Sequence, residues 1–356
     1  MRTSVACFLS LVAPAIVNAT QYHLLKDYSG QDFFDGWAYY GNFDNLTNGD
    51  AIFVNASVAA SAMLAYVDPV TNHAIIKVDN TTVVPFNDKR NTVRITTEDS
   101  YGTGSLFVAD MIHVPYGCSV WPAWWSQAPN WPTGGEIDMF EGVNQDTMNQ
   151  MSLHTEPGCT QISPNQTSTL VSSTDCSFDS NNNQGCIVID QSTSSYGAGF
   201  ASGGGGQFVT ELAEDGISMW FFPRSEVPNS IASNMSTVDT STFGIPVANW
   251  PNGGCNINQF FQPQNLIIDI TLCGDFAGNP TIFNQTCTGQ CYQTFVLGPP
   301  SGYDTAYFEI QFVRVYSSGN TSSGNGSTTA PNSAKALSGP MWLWTLVAGM
   351  VLGSVF

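Results

Sequence analysis

Residues 130–146 read NWPTGGEIDMFEGVNQD and carry three carboxylates, Glu136, Asp138 and Glu141, among apolar neighbours. Side chains of a β-strand alternate between its two faces, so Glu136 and Asp138 would share one face. A regular strand would send Glu141 to the apolar face, where an unpaired carboxylate is strongly disfavoured. One extra residue at a β-bulge returns it to the acidic face. The spacing therefore predicts a strand with a bulge at Met139–Phe140.

A helix does not suit this stretch. Glu136 and Glu141 would lie about 140° apart around a helix, and Gly134 and Gly135 directly before them disfavour one. On the bulged strand the two glutamates act as i and i+4, with Cα atoms about 13 Å apart. Side chains that lean together would bring the carboxyl groups to about 5–6 Å, near the separation found in retaining glycosidases.

Crowding of the three charges indicates acid–base chemistry. Three carboxylates this close cannot all ionise easily, so we expect at least one raised pKa, as a general acid needs. The alternatives are a solvated acidic patch and a cation site. A calcium loop alternates Asp or Asn with a Gly, whereas bulky apolar residues separate these acids.

The rest of the chain predicts a large all-β domain. Its 356 residues are 42% hydrophobic and 10% charged, and runs rich in β-branched and aromatic residues recur at short intervals. In the last run, residues 307–316, we expect Phe308, Ile310 and Phe312 on one face. We predict that residues 20–316 form one antiparallel β-sandwich of jelly-roll type with a concave substrate cleft.

Both ends of the chain read as processing signals. Residues 1–19 have an early Arg2, an apolar run and a small residue before the expected cut, as a secretory signal peptide does. Residues 317–334 are a Ser/Thr/Gly/Asn-rich linker. Residues 335–356 predict a GPI-anchor signal that is removed, with attachment at Asn332 or at an upstream position near Gly326. A short transmembrane tail is the alternative. We expect an exported protein, held at the cell surface or in the cell wall by the anchor.

Cysteines and sequons agree with export. Eight cysteines remain after the predicted signal peptide, which suggests four disulfides of undetermined pairing; they are Cys118, Cys159, Cys176, Cys186, Cys255, Cys273, Cys287 and Cys291. Eight Asn-x-Ser/Thr sequences are candidate N-glycosylation sites; they are Asn45, Asn55, Asn80, Asn165, Asn234, Asn284, Asn320 and Asn325. No cofactor or metal ligand set is indicated, and a structural calcium ion is left open.

The segment GEIDMFE resembles the E-I-D-x-x-E signature of glycoside hydrolase family 16, in the form typical of laminarinase-like fungal endo-1,3(4)-β-glucanases. YSGQDFFDGW, WPAWW, SLHT and LCGDFAG extend the likeness over most of residues 21–316. The resemblance implies that Glu136 is the nucleophile, Glu141 the acid/base and Asp138 an assistant to Glu136. Phe276 stands where many laminarinases have Trp, which implies weaker stacking on substrate there.

Aromatic residues near the acids are candidate sugar contacts, since sugars stack on such rings. Core packing is equally expected for any single Trp. The resemblance favours Trp121 and Trp125 in the cleft and Trp124 in the core, with Trp250 as a looser cleft candidate. It also implies that His154, on the strand after the acids, contacts substrate.

These features predict a retaining endo-β-glucanase acting on β-1,3- or mixed β-1,3/1,4-glucan. The alternatives are a cell-wall glucan transglycosylase and a non-catalytic glucan-binding protein. A formal net charge of −19 makes a nucleic-acid partner improbable and suits a neutral polysaccharide. We expect a monomer whose only membrane contact is the anchor in the outer leaflet.

Overall fold

A computed structural model describes residues 20–171, 173–232 and 235–319 of the chain. Several predictions made above fall outside these ranges: the signal peptide at 1–19, nearly all of the linker, Asn332, the tail at 335–356, and the sequons at Asn234, Asn320 and Asn325. Within the described ranges no helix is long and apolar enough to span a membrane.

The described residues form twenty β-strands. The first ten are β1 (Gln21–Ser29), β2 (Trp37–Tyr39), β3 (Asn42–Phe43), β4 (Ala51–Phe53), β5 (Ala65–Val67), β6 (Ala74–Lys77), β7 (Arg90–Thr92), β8 (Arg94–Thr97), β9 (Ser105–His113) and β10 (Val120–Gln127). The other ten are β11 (Glu136–Glu141), β12 (Gln150–His154), β13 (Thr169–Leu170), β14 (Val188–Ile189), β15 (Gly206–Ala213), β16 (Gly216–Pro223), β17 (Thr237–Asp239), β18 (Ala248–Pro251), β19 (Asn265–Leu272) and β20 (Tyr307–Ser317).

Helices are short and connect strands. The α-helices are α1 (Ala56–Ser61), α2 (Gly197–Ser202), α3 (Ile257–Phe260), α4 (Gly274–Ala277) and α5 (Pro280–Thr286). Single turns of 3-10 helix lie at Gly30–Asp32, Arg224–Glu226, Thr240–Thr242 and Pro300–Tyr303, and a π-helical turn lies at Cys291–Val296.

Two large sheets build the domain. The front sheet has the order β13-β14-β12-β11-β10-β19-β8-β2, and the back sheet has the order β17-β1-β20-β9-β15-β16-β18, extended by β6 and β5 beside β20. Pairing within both sheets is antiparallel, whereas a small third sheet, β3-β4-β7, contains a parallel pair. The all-β jelly-roll prediction is confirmed.

Alternating side chains along β10 show how the core forms. Trp124 is fully buried and packs into the main core cluster, while Trp121 and Trp125 on either side are only partly buried on the opposite face. Phe140 of β11 also points inward, and its ring centroid lies 5.0 Å from that of Phe208 on the back sheet. Burying a side chain of this size contributes about 1.5–3 kcal/mol relative to exposing it.

The expectation that Phe308, Ile310 and Phe312 share one face is wrong. Phe308 and Ile310 pack into the main core, but the register of β20 against β9 shifts between Ile310 and Phe312. Phe312 therefore packs on the outer side of the back sheet, in a second cluster with Tyr22 and Trp220. Irregular pairing breaks the period of two on which the prediction depended.

All eight predicted cysteines form disulfides, so the prediction of four bridges is confirmed. The pairs are Cys118–Cys287, Cys159–Cys255, Cys176–Cys186 and Cys273–Cys291. The Cys176–Cys186 bridge lies in the connection between β13 and β14, and the Cys273–Cys291 bridge lies directly after β19.

Candidate active site

The predicted bulge is present in β11. On β10, Trp124 pairs with Phe140 and the next residue, Trp125, pairs with Asp138, so Met139 is the extra residue. The register against β12 shifts over the same interval, between Asp138 and Glu141.

A buried amide completes the hydrogen bonds that the bulge interrupts. Asn149 is fully buried, and its Nδ2 donates to the carbonyl of Met139 at 3.1 Å. The backbone N–H of Glu141 donates to Oδ1 of Asn149 at 3.0 Å. One side chain thus satisfies both the carbonyl of Met139 and the N–H of Glu141. Asn149 therefore holds the conformation that turns Glu141 outward.

The three carboxylates share the outer face of the front sheet, as predicted. Oε1 of Glu141 accepts a hydrogen bond from Nε1 of Trp121 at 2.8 Å, and its Oε2 accepts one from Nε2 of Gln150 at 2.8 Å. Ile137, Met139 and Phe140 pack into the core on the other face. The bulge thus separates charge from apolar surface within six residues.

Two polar side chains of β12, Ser152 and His154, contact the carboxylate of Asp138. Nε2 of His154 lies 3.2 Å from Oδ2 of Asp138, and the hydroxyl of Ser152 donates to the same oxygen at 2.5 Å. His154 is the cross-strand partner of Glu136, and Nδ1 of its ring lies 3.0 Å from Oδ1 of Asn183. Asp138 is buried, so these partners are what makes its charge tolerable.

Burial and mutual repulsion shift the protonation of the acids. Burial, with the negative charge of Asp138 as the next contribution, raises the pKa of Glu136 from 4.5 to about 8 and that of Glu141 from 4.5 to about 7. Burial opposes a charge on His154, but its hydrogen bond to Asp138 and the charges of Glu136 and Asp138 outweigh that effect and raise its pKa to about 10. Near neutral pH the site therefore combines an imidazolium with carboxyl groups poised to exchange a proton.

Polar and aromatic groups continue from the acids toward β2. Nε1 of Trp125 donates to Oδ1 of Asp269 at 2.9 Å, and Nη1 of Arg94 lies 3.6 Å from the other carboxylate oxygen. The Arg94 guanidinium also lies 4.8 Å from the Trp125 ring centroid and 5.5 Å from that of Tyr40. Cation–π contact and ion pairing together hold Trp125 on the open face of the sheet.

Phe276 lies beside Trp121. The two ring centroids are 5.4 Å apart and the rings are nearly perpendicular, at 86°. Gly274 precedes it with φ +61°, and a Cβ there would approach the carbonyl oxygen of Thr47 to 2.6 Å. Gly274 and the neighbouring Cys273–Cys291 bridge therefore fix this loop next to Trp121, which donates a hydrogen bond to Glu141.

The assignment of Trp250 to the cleft is wrong. Trp250 lies on β18 of the back sheet and is fully buried. Its Nε1 lies 3.1 Å from Sγ of Cys186, so the indole packs against the Cys176–Cys186 bridge. Trp250 had been a looser cleft candidate, but the alternation of side chains along β18 points its ring inward.

Several residues of the site were not predicted from the sequence. They are Asn149, Gln150, Ser152, Asn183, Arg94 and Asp269, which all act through long-range contacts. Gln150 and Ser152 were accessible to reasoning, because they share the outward face of β12 with His154. The others depend on pairings that only the folded sheet reveals.

The acid cluster also has the spacing of a cation site. One ligand atom from each of Glu136, Asp138 and His154 lies within 4.8 Å of the other two. Both ring nitrogens of His154 already face Asp138 and Asn183, so a cation bound here would displace at least one of these hydrogen bonds.

A family model described as the XgeA-like, catalytic GH16 domain matches residues 37–316. The chain belongs to glycoside hydrolase family 16. Among relatives in this family, a probable glycosidase of Schizosaccharomyces pombe is 37% identical over 84% of this chain and 70% of its own length. The endo-1,3(4)-beta-glucanase xgeA of Emericella nidulans is 33% identical over 90% of this chain, which spans only 51% of that enzyme.

Solved structures of family 16 enzymes share the fold. Laminarinase 16A from Phanerochaete chrysosporium, solved with β-glucans in donor and acceptor sites, is 36% identical with a TM-score of 0.79. The match covers 83% of this chain and 99% of that structure. An elongating β-1,3-glucosyltransferase of family 16 is also 36% identical, with a TM-score of 0.76, over 83% of this chain and 100% of its own.

Proposed function

We propose that this family 16 glycoside hydrolase is a retaining, endo-acting β-glucanase that cleaves β-1,3- or mixed β-1,3/1,4-linked glucan. The observation that carries the proposal is the bulged strand, which turns Glu136 and Glu141 to one face with raised pKa values. Two such glutamates are what a double displacement at a glycosidic bond requires.

Glu136 acts as the nucleophile. Its ionised form is favoured by the imidazolium of His154, which lies directly across the β11–β12 ladder. A carboxylate oxygen of Glu136 bonds to the anomeric carbon while the bond from that carbon to the leaving glucan oxygen breaks. The leaving oxygen takes the proton that Glu141 holds, so the released chain departs neutral.

Glu141 then acts as the base. It accepts a proton from water, whose oxygen attacks the anomeric carbon and displaces the Glu136 carboxylate. Two inversions restore the β-configuration, and the proton now on Glu141 resets the site. Hydrogen bonds from Trp121 and Gln150 orient this carboxyl group through both steps.

Asp138 and His154 set the electrostatic environment of Glu136. The charge of Asp138 raises the pKa of Glu136, and the His154 cation opposes that effect. The His154 cation thus favours the ionised form of Glu136 that attacks, against burial and the charge of Asp138, which together raise its pKa.

A β-glucan substrate is supported by the surfaces beside the acids. Trp121, Phe276 and Trp125 flank the carboxylates on the side toward β19, and Trp131, 39% exposed, lies on the other side. Rings of this kind stack on the apolar faces of glucose units. The relatives named above include a laminarinase bound to β-glucans and an endo-1,3(4)-β-glucanase.

Transglycosylation is the second candidate, favoured by one observation. The elongating glucosyltransferase matches this chain as well in identity as the laminarinase does. Transfer differs from hydrolysis only in the second step, where a sugar hydroxyl replaces water. Incubation with a β-1,3-oligosaccharide acceptor separates the two, since only transfer yields products longer than the starting chain.

Export and anchoring are part of the proposal. A signal peptide and a GPI signal would place the enzyme next to wall glucan, and the four disulfides suit an oxidising compartment. Four sequons, Asn45, Asn55, Asn165 and Asn284, have exposed side chains, while Asn80 is half-buried. Release of the protein from intact cells by phosphatidylinositol-specific phospholipase tests the anchor.

Paired substitutions test the catalytic roles. Glu136→Gln and Glu141→Gln should each lower kcat on laminarin by at least about 100-fold, whereas Glu226→Gln, on the exposed turn after β16, should not. Sodium azide should rescue Glu136→Ala with an α-glycosyl azide and Glu141→Ala with a β-glycosyl azide. Near-normal activity of either glutamine variant would overturn the assignment. Laminarin, lichenan and chitin compared side by side give the linkage.

A further inference from the structure

The loop Cys176–Cys186, here called the stapled loop, brackets His154. The N–H of Thr155 donates to the carbonyl of Cys176 at 2.9 Å, and the N–H of Phe178 donates back to the carbonyl of Thr155 at 2.9 Å. At the other end, the N–H of Cys186 donates to the carbonyl of Leu153 at 3.3 Å. The disulfide joins these two attachments, so the loop is fixed on both sides of the histidine.

Between these two sets of hydrogen bonds, the stapled loop also packs closely against His154. A Cβ at Gly185 would lie 2.5 Å from the carbonyl oxygen of Leu153 and 3.0 Å from Nε2 of His154, so no other side chain fits there. From the core side, Trp250 contacts Cys186. The stapled loop therefore packs closely against the imidazole of His154.

The tip of the stapled loop adopts an unusual backbone. Asn181, Asn182 and Asn183 follow one another in the left-handed region, with φ of +51°, +57° and +59°. L-residues visit this region as single residues, and Asn tolerates it better than most. Three in succession store strain that the surrounding contacts must offset, and such strain concentrates at functional sites.

Asn183 ends this run and reaches the histidine. Its Oδ1 lies 3.0 Å from Nδ1 of His154, while Nε2 of the same ring faces Asp138 at 3.2 Å. An imidazole with an acceptor on each nitrogen is best satisfied when both nitrogens carry a proton. The charged groups facing the ring are Asp138 and Glu136 from β11, and Asn183 adds acceptor capacity without a further charge.

We propose that Asn183 is a positioning residue, which the stapled loop presents to Nδ1 of His154 so that the ring stays an imidazolium against Asp138 and Glu136. The consequence for catalysis rests on the proposed glucanase function, but the effect on the histidine does not. Three other acids lie nearby in the sequence: Glu156 after β12, Asp175 directly before the stapled loop and Asp179 within it. Asp175 is engaged by the Ser177 amide and the Ser180 hydroxyl.

Histidine NMR tests the proposal directly. The full chain has four histidines, so imidazole signals of isotope-labelled protein can be assigned with His154→Gln. Asn183→Ala should lower the pKa of His154 by at least about one pH unit, equivalent to about 1.4 kcal/mol. Asn183→Asp, which keeps the acceptor, should hold that pKa at or above the wild-type value. Asn182→Ala, at the same kind of left-handed position, should leave it unchanged.

Kinetics give the second readout. Asn183→Ala should lower kcat on laminarin about ten-fold with little change in KM, because the His154 ring, still protonated at neutral pH, loses the contact that holds its orientation against Asp138 and Glu136. Asn183→Asp should recover most of the loss. An unaltered His154 titration in Asn183→Ala, or an equal shift in Asn182→Ala, would refute the positioning role. If no variant and no wild type cleaves glucan, the proposed function fails, while the histidine titration still decides this inference.

Discussion

The backbone N–H of Glu141 donates to the side-chain oxygen of Asn149, eight residues along the chain, at 3.0 Å. The same side chain donates to the carbonyl of Met139, so a single buried amide bridges the bulge. The position of Glu141 thus depends on a residue that carries no ionisable group.

Loss of this bridge should be costly. Asn149→Ala leaves a buried donor and a buried acceptor of the bulge unpaired, which we expect to lower the free energy of unfolding by about 1–3 kcal/mol. Activity should fall further than stability explains, because Glu141 is no longer held outward. Urea unfolding and kcat on laminarin measure the two effects. Asn130→Ala, at an exposed position before β11, is the control; a bulge that needs no support would leave the two variants alike.

Trp121 should tune the pH profile of Glu141. Its Nε1 donates to the ionised carboxylate and thereby lowers the Glu141 pKa. Trp121→Phe keeps an aromatic ring but removes the donor, so the Glu141 pKa should rise. The alkaline limb of kcat/KM should then move to higher pH by about one unit, since a hydrogen bond to a charged group contributes about 1.5 kcal/mol or more. A limb that stays in place or moves to lower pH contradicts this role for Trp121.

Glu136 and Glu141 should destabilise the fold at alkaline pH. Their pKa values rise from 4.5 to about 8 and about 7 on folding, so between these limits the folded protein binds more protons than the unfolded chain. Stability must then fall as pH increases through this window. Glu136→Gln and Glu141→Gln remove the effect, so each should raise the melting temperature at pH 8.5 but scarcely at pH 4. Thermal unfolding at both pH values, with Glu226→Gln as reference, checks the sign.

Arg94 and Asp269 form a buried pair that should behave non-additively. Burial raises the pKa of Asp269 to about 6 even with the Arg94 charge and the Trp125 hydrogen bond opposing the rise. Arg94→Met leaves that carboxylate without its cation, at an expected cost of about 3–5 kcal/mol. The double variant Arg94→Met/Asp269→Leu should recover much of the loss. Denaturant unfolding of the wild type, Arg94→Met, Asp269→Leu and the double variant gives the coupling free energy. Simple additivity of the two single effects would show that the pair does not interact.

Sequence alone was sufficient for the acidic strand and insufficient for its supports. The bulge followed from the spacing of Glu136, Asp138 and Glu141, because strand alternation leaves few ways to keep three charges out of an apolar core. Asn149 and Asn183 could not be inferred, since their partners are set by tertiary contacts rather than by local pattern. The cleft position expected for Trp250 was wrong because its neighbours in the sequence do not determine which face of the strand its ring occupies.

Trapping the covalent intermediate tests the central claim most directly. A 2-deoxy-2-fluoro laminaribiosyl fluoride should label the wild-type enzyme, since the C2 fluorine slows both formation and hydrolysis of the intermediate while the fluoride leaving group speeds its formation. Mass spectrometry of the digested protein should then find one added disaccharide on the peptide that contains Glu136, and specifically on that residue. A label on Glu141, or turnover of laminarin with inverted configuration and no trapped adduct, would contradict the account.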